Sequence, residues 1–445
     1  MSVDIFWFRR DLRLHDNHGL YNALKAGNAV VALFILDTDI LDKLHTNDRR
    51  IPFLYEEIIS IDKELSRYGS RLLVKKGKPV DVFAHLLEEL GEIRISGVYA
   101  NRDYEPYAIE RDRQVSEQLK KNGINFFLSG DQLILEPGEL LKPDGKPYEV
   151  FTPFSKRWLE LYHVKGDILY DSLSNASNFY RTSDETGSII PFSNETVFKE
   201  FQGLAKKDLK FIYPEKLPDQ QLIINYAETR DYPALDATTR IGLHLRFGTM
   251  SIRQYVKMAN VYSTVWLNEL IWREFFMHIL AFYPHVVNYS FRKQYDNIKW
   301  VNEEGLFHKW CEGMTGYPMV DAGMRQLKQT GFMHNRVRMV TASFLVKHLL
   351  IDWRWGEQWF ADHLLDFELS SNNGNWQWAA GSGCDAAPYF RIFNPVRQQE
   401  RFDPQFEYIK KWVPEFGNPD YPKPVIDHEF ARKRCINAYK KALNQ

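Results

Sequence analysis

Ala29-Val30-Val31-Ala32-Leu33-Phe34-Ile35 is an unbroken apolar run of strand length, the pattern of a β-strand covered on both faces. Asp4-Ile5-Phe6-Trp7-Phe8 precedes it, and Arg71-Leu72-Leu73-Val74, Ile95-Ser96-Gly97-Val98-Tyr99 and Ile124-Asn125-Phe126-Phe127-Leu128 follow. Helical patterns at Pro52 to Tyr68 and Tyr107 to Asn122 lie between them. This alternation predicts an α/β unit over residues 1–130: a five-stranded, parallel, Rossmann-like sheet with helices on both faces and a ligand site at the carboxyl ends of its strands. No G-x-G-x-x-G follows the first strand, so the usual dinucleotide cradle is not indicated.

Outward from the sheet the pattern changes twice. Residues 131–199 read as a connector, with turn signals at Pro137-Gly138 and Pro143-Asp144-Gly145 but also Phe151, Phe154, Trp158 and Leu161 to pack on something. Residues 200–445 read as all-helical, with 3.6-residue periodicity over Tyr255 to Ala259, Leu267 to Leu280, Tyr317 to Gln329, Asn335 to Asp352 and Gly356 to Leu365. At 445 residues the chain is too long for one ordinary core, which suits this division.

The apolar share of 44% and charged share of 26% are those of a soluble globular protein, and neither a membrane span nor a signal peptide is evident, so a cytosolic location is expected. Three scattered cysteines suit free thiols in a reducing compartment. A formal net charge of −1 excludes bulk electrostatic coating of nucleic acid, so any such contact needs a local basic patch. Ten of the twelve tryptophans follow residue 260, which points to a use for indole rings in the helical part.

Two helical faces there carry more than packing. Helical spacing puts Glu269, Trp272, Arg273 and Phe276 side by side, a set that could accept a base's donors, stack its ring and hold a phosphate; an exposed ion pair beside a core tryptophan would look the same. His334-Asn335-Arg336-Val337-Arg338-Met339 repeats the theme, with Asn335 and Met339 one turn apart between arginines. Asn372-Asn373-Gly374-Asn375-Trp376-Gln377-Trp378, running on to Pro395, reads as a loop with site chemistry. Trp300, Trp353 and Trp376 lie in separate segments, and a buried file of indoles can pass an electron between a redox cofactor and solvent. For any one of them, core packing is the commoner role.

These motifs, with Phe8-Arg9-Arg10-Asp11-Leu12-Arg13-Leu14-His15-Asp16-Asn17 and Thr315-Gly316-Tyr317-Pro318, resemble the photolyase/cryptochrome family over essentially the whole chain, and within it the class I cyclobutane pyrimidine dimer DNA photolyases. The resemblance implies a non-covalent FAD in the helical domain, active when reduced, and light-driven repair of DNA carrying pyrimidine dimers by electron transfer to a flipped-out dimer. It implies that Tyr226 and Thr238-Thr239-Arg240-Ile241-Gly242 meet the diphosphate, that Trp266 lies on the adenine side, and that Asp366, Phe367 and Glu368 line the flavin and ribose. Asn372 would face the flavin N5, and Arg338 with Asp366 would form a buried ion pair beside the ring. Glu269, Trp272, Asn335, Met339 and Trp378 match the dimer cavity, with Glu269 bonding the dimer's polar edge. Trp376, Trp353 and Trp300 match the electron-transfer file. Arg230, Arg273, Arg336, Arg391 and Arg397 would form the phosphate-binding rim.

Two departures from the family pattern matter. Thr239-Arg240-Ile241-Gly242 stands where a Ser-x-Leu-Ser-Pro pattern is usual, and Tyr107-Ala108 aligns with the folate-binding Asn-Glu pair. A folate antenna is therefore disfavoured, leaving a deazaflavin, a second flavin or an empty pocket. A cryptochrome-type photoreceptor on the same scaffold is the alternative, opposed by Asn372 where the plant-type branch has aspartate. A (6-4) photolyase would have a histidine pair at His334-Asn335. A monomer is expected.

Overall fold

In the computed structural model residues 2–91, 93–182, 195–204 and 212–444 are described, and connector residues 183–194 lie outside them. The first unit holds β1 Ser2–Phe8, β2 Ala29–Asp37, β3 Leu72–Gly77, β4 Arg94–Asn101 and β5 Asn125–Ser129. All pairings are parallel, in the order β3-β2-β1-β4-β5, with Ile5 opposite Val31 on one side and Val98 on the other. The predicted strands are present, and the continuous apolar runs are explained by two cores. Phe6, Phe8, Val30, Ala32 and Phe34 pack with the helices His18–Lys25 and Arg50–Ser66. Ile5, Trp7, Val31, Leu33 and Ile35 pack on the opposite face with Pro79–Leu90 and Pro106–Lys121. Alternate side chains point to opposite faces, so every residue from Val30 to Leu36 has a core to fill.

The units do not follow chain order. The first comprises residues 1–139, 159–216 and 241–258; the second comprises 140–158, 217–240 and 259–445. Within the first, Leu12 N–H donates to the Phe247 carbonyl at 3.0 Å, and Arg253 holds the buried carboxylates of Asp16 and Asp131. Gly248 has φ +60° and a Cβ there would lie 2.1 Å from the Arg10 carbonyl oxygen, so only glycine fits. Part of the expected connector is a regular helix, Phe151–Lys165, that buries Phe154 and Trp158.

The second unit is helical around a large core, with a smaller cluster around Tyr295 and Tyr439. The helix expected over Asn335 to Asp352 is regular only through Ser343; it widens to a π-type turn over Phe344–Leu349 and stops at Leu350, φ +55°. All six side chains of that turn are buried, which a single helical stripe cannot achieve.

Candidate functional site

Residues Leu369–Ala380 form a helix, correcting the loop reading of the Asn372 run. Asn, Ser and Gly are weak helix formers, so tertiary contacts supply the stability. Gln377 and Asn373 donate to the Val286 carbonyl at 2.9 and 3.0 Å, and Gly374 allows Phe276 so close that a Cβ would meet its ring at 2.2 Å. Gly381, φ +85°, ends the helix.

Two helices and a loop place site residues around one cavity. Asn335, Arg338, Met339 and Ala342 come from one face of Asn335–Ser343. Ser371, Asn372, Asn375, Trp376, Trp378 and Ala379 come from Leu369–Ala380, with Asp366, Phe367 and Glu368 just before it. Arg338 pairs with Asp366 at 2.9 Å; the pair is half-buried rather than enclosed. Asn372 donates to the Glu357 backbone carbonyl at 3.0 Å, leaving its own carbonyl oxygen as the acceptor. Burial pushes the Glu357 carboxyl up to about 7 against the lowering effect of Asn373 and Asn372. Sequence reasoning missed Glu357, which lies in Trp355-Gly356-Glu357-Gln358 with nothing local to mark it.

The remaining expected residues lie elsewhere in the second unit, or in the first. Trp266 is buried and donates its indole N–H to Thr239 Oγ1 at 3.3 Å, joining the helix Thr264–Phe282 to the turn that carries Thr238. Arg240, φ +50°, pairs with Asp236 at 2.5 Å and lies 4.5 Å over the Phe332 ring, which Arg338 approaches at 5.7 Å. Ile241 and Gly242 open the short helix Gly242–Phe247, part of the first unit.

Glu269 is ion-paired to Arg230, whose guanidinium lies 5.4 Å over the Tyr226 ring. Burial raises the Glu269 carboxyl above its ordinary value, and Arg230 offsets this in part. Trp272 stacks on Phe151 at 3.7 Å and 5°. Of the five arginines expected to form a rim, Arg230 is paired with Glu269, Arg336 with Asp231 at 2.5 Å, and Arg273 lies 3.7 Å from Glu368. Arg391 and Arg397 are exposed.

Trp376 and Trp353 are fully buried in the main core, and Trp300 packs half-buried at its edge. Among the described residues the indole N–H groups of Trp376 and Trp353 have no hydrogen-bond partner. A buried indole without an acceptor cannot readily shed its proton, whereas Trp300 reaches solvent.

The first unit has its own cavity at the carboxyl ends of β1, β2 and β4. Trp7 lines it with the guanidiniums of Arg9 and Arg111 at 4.9 and 5.0 Å, and Tyr107 donates to Asp37 at 2.6 Å. Among the described residues no helix is long and apolar enough to cross a membrane.

The chain matches two family models: DNA photolyase over residues 4–169, and FAD binding domain of DNA photolyase over residues 266–420. The deoxyribodipyrimidine photo-lyase of Vibrio cholerae is 35% identical, over 98% of this chain and 99% of that one. The crystal structure of an archaeal photolyase from Sulfolobus tokodaii with two FAD molecules is 34% identical, with TM-score 0.81 and coverage of 99% and 100%. The cryptochrome of Synechocystis is 27% identical, with TM-score 0.83 and coverage of 98% and 99%.

Proposed function

The chain belongs to the DNA photolyase family, and on that premise we propose that it repairs cyclobutane pyrimidine dimers in DNA under near-UV to blue light, as a class I member. The observation that carries this reading is the convergence of Arg338, Met339, Asp366, Asn372, Trp376 and Trp378 on one cavity, inside the stretch that matches the FAD-binding model.

The cofactor is FAD, and the cavity's chemistry fits it. Phe360, Leu364 and Trp376 give apolar walls, Ala342 and Ala379 leave width, and Arg338 and Asn372 supply a cation and a neutral amide. Arg338 would hold negative charge on the reduced ring, and the Asn372 carbonyl oxygen would accept its N5–H. FAD held there would supply, when reduced and photo-excited, an electron donor for splitting the dimer's two cross-ring bonds with no net redox change.

This chain's residues would do the rest. Thr238, Thr239 and Tyr226 would meet the diphosphate and Trp266 the adenine side. Asn335, Met339, Trp272 and Trp378 would receive the dimer, and Glu269 would bond its polar edge. Exposed Arg391 and Arg397 would grip phosphate directly; Arg230, Arg273 and Arg336 would first exchange a carboxylate partner for it. Trp376, Trp353 and Trp300 would pass electrons inward to activate oxidised flavin.

The first unit's cavity would hold an antenna. Its indole suits stacking against a flat heterocycle, and the Sulfolobus relative is described with two FAD molecules. We place the protein in the cytosol as a monomer.

A cryptochrome-type photoreceptor is the second reading, favoured by the Synechocystis likeness and opposed by Asn372. Repair of a thymine-dimer oligonucleotide by the photoreduced protein, with a dark control, tests the choice. Light-dependent recovery of intact thymines supports repair; none, with reducible FAD bound, rejects it.

A further inference from the structure

Trp300 touches a cluster of rings for which the repair reaction has no use. Tyr439 lies edge-on to it at 6.2 Å, stacks on Tyr389 at 5.7 Å and meets Tyr295 at 6.1 Å. Rings this close can exchange an electron, so an oxidised Trp300 has two ways to be refilled. A reductant in solvent is one, and the tyrosines are the other.

Two features close the second route. Tyr439 is fully buried and its hydroxyl donates to the Ala380 backbone carbonyl at 2.8 Å. An amide carbonyl is too weak a base to take a phenol's proton, so oxidised Tyr439 would have to remain a cation. Above the same ring, at 4.8 Å, lies the amine of Lys347, which is 1% exposed; burial lowers it to about 8, so at neutral pH it is still mainly the ammonium. Its hydrogen bond is to the Tyr389 carbonyl at 2.8 Å, and among the described residues no carboxylate pairs with it. A cation on a ring face is attracted to the neutral ring and repelled by its radical cation, the more so where water is excluded. The file itself is treated differently: Arg354 lies 4.7 Å over Trp353, but Asp352 and Asp296 at 3.1 and 3.0 Å offset its charge.

We infer that Lys347 is an electrostatic barrier that confines the oxidised end of the tryptophan file to Trp300 and keeps the adjoining tyrosine cluster reduced. The inference rests on the file reading above. One electron leaves Trp300 through Trp353 and Trp376 for photo-excited oxidised FAD, the Trp300 indole gives its proton to water, and an external thiol returns an electron and a proton. Without the barrier the electron would come from Tyr389 through Tyr439, and half-buried Tyr389 would lose its proton to water.

Flash photolysis with electron paramagnetic resonance on the FAD-loaded protein tests this. Wild type should show tryptophan radicals alone. Lys347→Met should add a tyrosyl radical and shorten the tryptophan radical's life about tenfold or more. Lys347→Arg should behave as wild type, and Lys347→Met with Tyr439→Phe should restore the tryptophan signal. If Lys347→Met does not fold, Tyr439→Phe alone decides, because a barrier predicts an unchanged tryptophan lifetime. A tyrosyl radical in wild type, an unaltered Lys347→Met spectrum, or a changed lifetime in Tyr439→Phe overturns the barrier. Absence of any tryptophan radical in wild type instead defeats the file reading, and the barrier with it.

Discussion

The side-chain amide of Asn372 is fixed by a 3.0 Å hydrogen bond to the backbone carbonyl of Glu357. The bond orients a neutral acceptor at the cavity wall and ties the helix Leu369–Ala380 to Trp353–His363. Asn372→Asp removes the donor and sets an acceptor against that carbonyl. It should cost about 1–3 kcal/mol in denaturant unfolding and reduce repair yield with FAD still bound; unchanged stability would show that the bond is dispensable.

Glu357 predicts a pH signature. Burial raises its carboxyl from 4.5 to about 7, so between those values the folded protein keeps a proton that the unfolded chain has lost. Stability contributed by this group is complete below about 4.5, falls as pH rises, and is lower by roughly 3 kcal/mol above about 7. Glu357→Gln should flatten that part of the stability curve, read by urea unfolding at pH 5 and pH 8.

Arg338→Met removes the cation paired with Asp366. Loss of charge-assisted bonds costs about 1.5–3 kcal/mol, so FAD affinity should fall roughly tenfold to a hundredfold. The ratio of flavin to protein absorbance after dialysis measures it, and full retention would remove Arg338 from the cofactor site.

Gly356 leaves no room for a methyl group. A Cβ there would lie 2.2 Å from Trp376 and 2.5 Å from Leu345, both in the packed core. Gly356→Ala should destabilise by about 1–3 kcal/mol or more, lowering Tm by several degrees and changing indole fluorescence.

Glu269→Ala should lower repair yield about tenfold or more while FAD stays bound, because it removes both the proposed contact to the dimer and the partner of Arg230. Single-turnover repair measures it. An undiminished yield would take Glu269 out of the mechanism.

The sheet was legible because strands covered on two faces are written as unbroken apolar runs, and Ala29 to Ile35 could be little else. The Asn372 helix was not. Its composition argues for a loop, and the bonds from Asn373 and Gln377 to Val286 that override this span 87 and 91 residues. The cavity residues on Asn335–Ser343 share a face that helical spacing makes readable. The partners of Arg230 and Arg336 lie 39 and 105 positions away, so a reading by composition counted both as available cations. Glu357 was invisible for a simpler reason: a carboxylate's burial is a property of its neighbours.

The Leu12 to Phe247 bond and the Arg253 clamp on Asp16 and Asp131 also bear on how the protein is made. All five strands have been synthesised once residue 129 is added, but the segment 241–258 that completes their unit is finished 129 residues later, since 258 follows 129 by that number. At about 5–20 residues per second the ribosome needs roughly 6–26 s for that interval. During it the nascent sheet carries Asp16 without its arginine and Asp131 with Arg13 alone, which makes this the window in which a chaperone has most to protect.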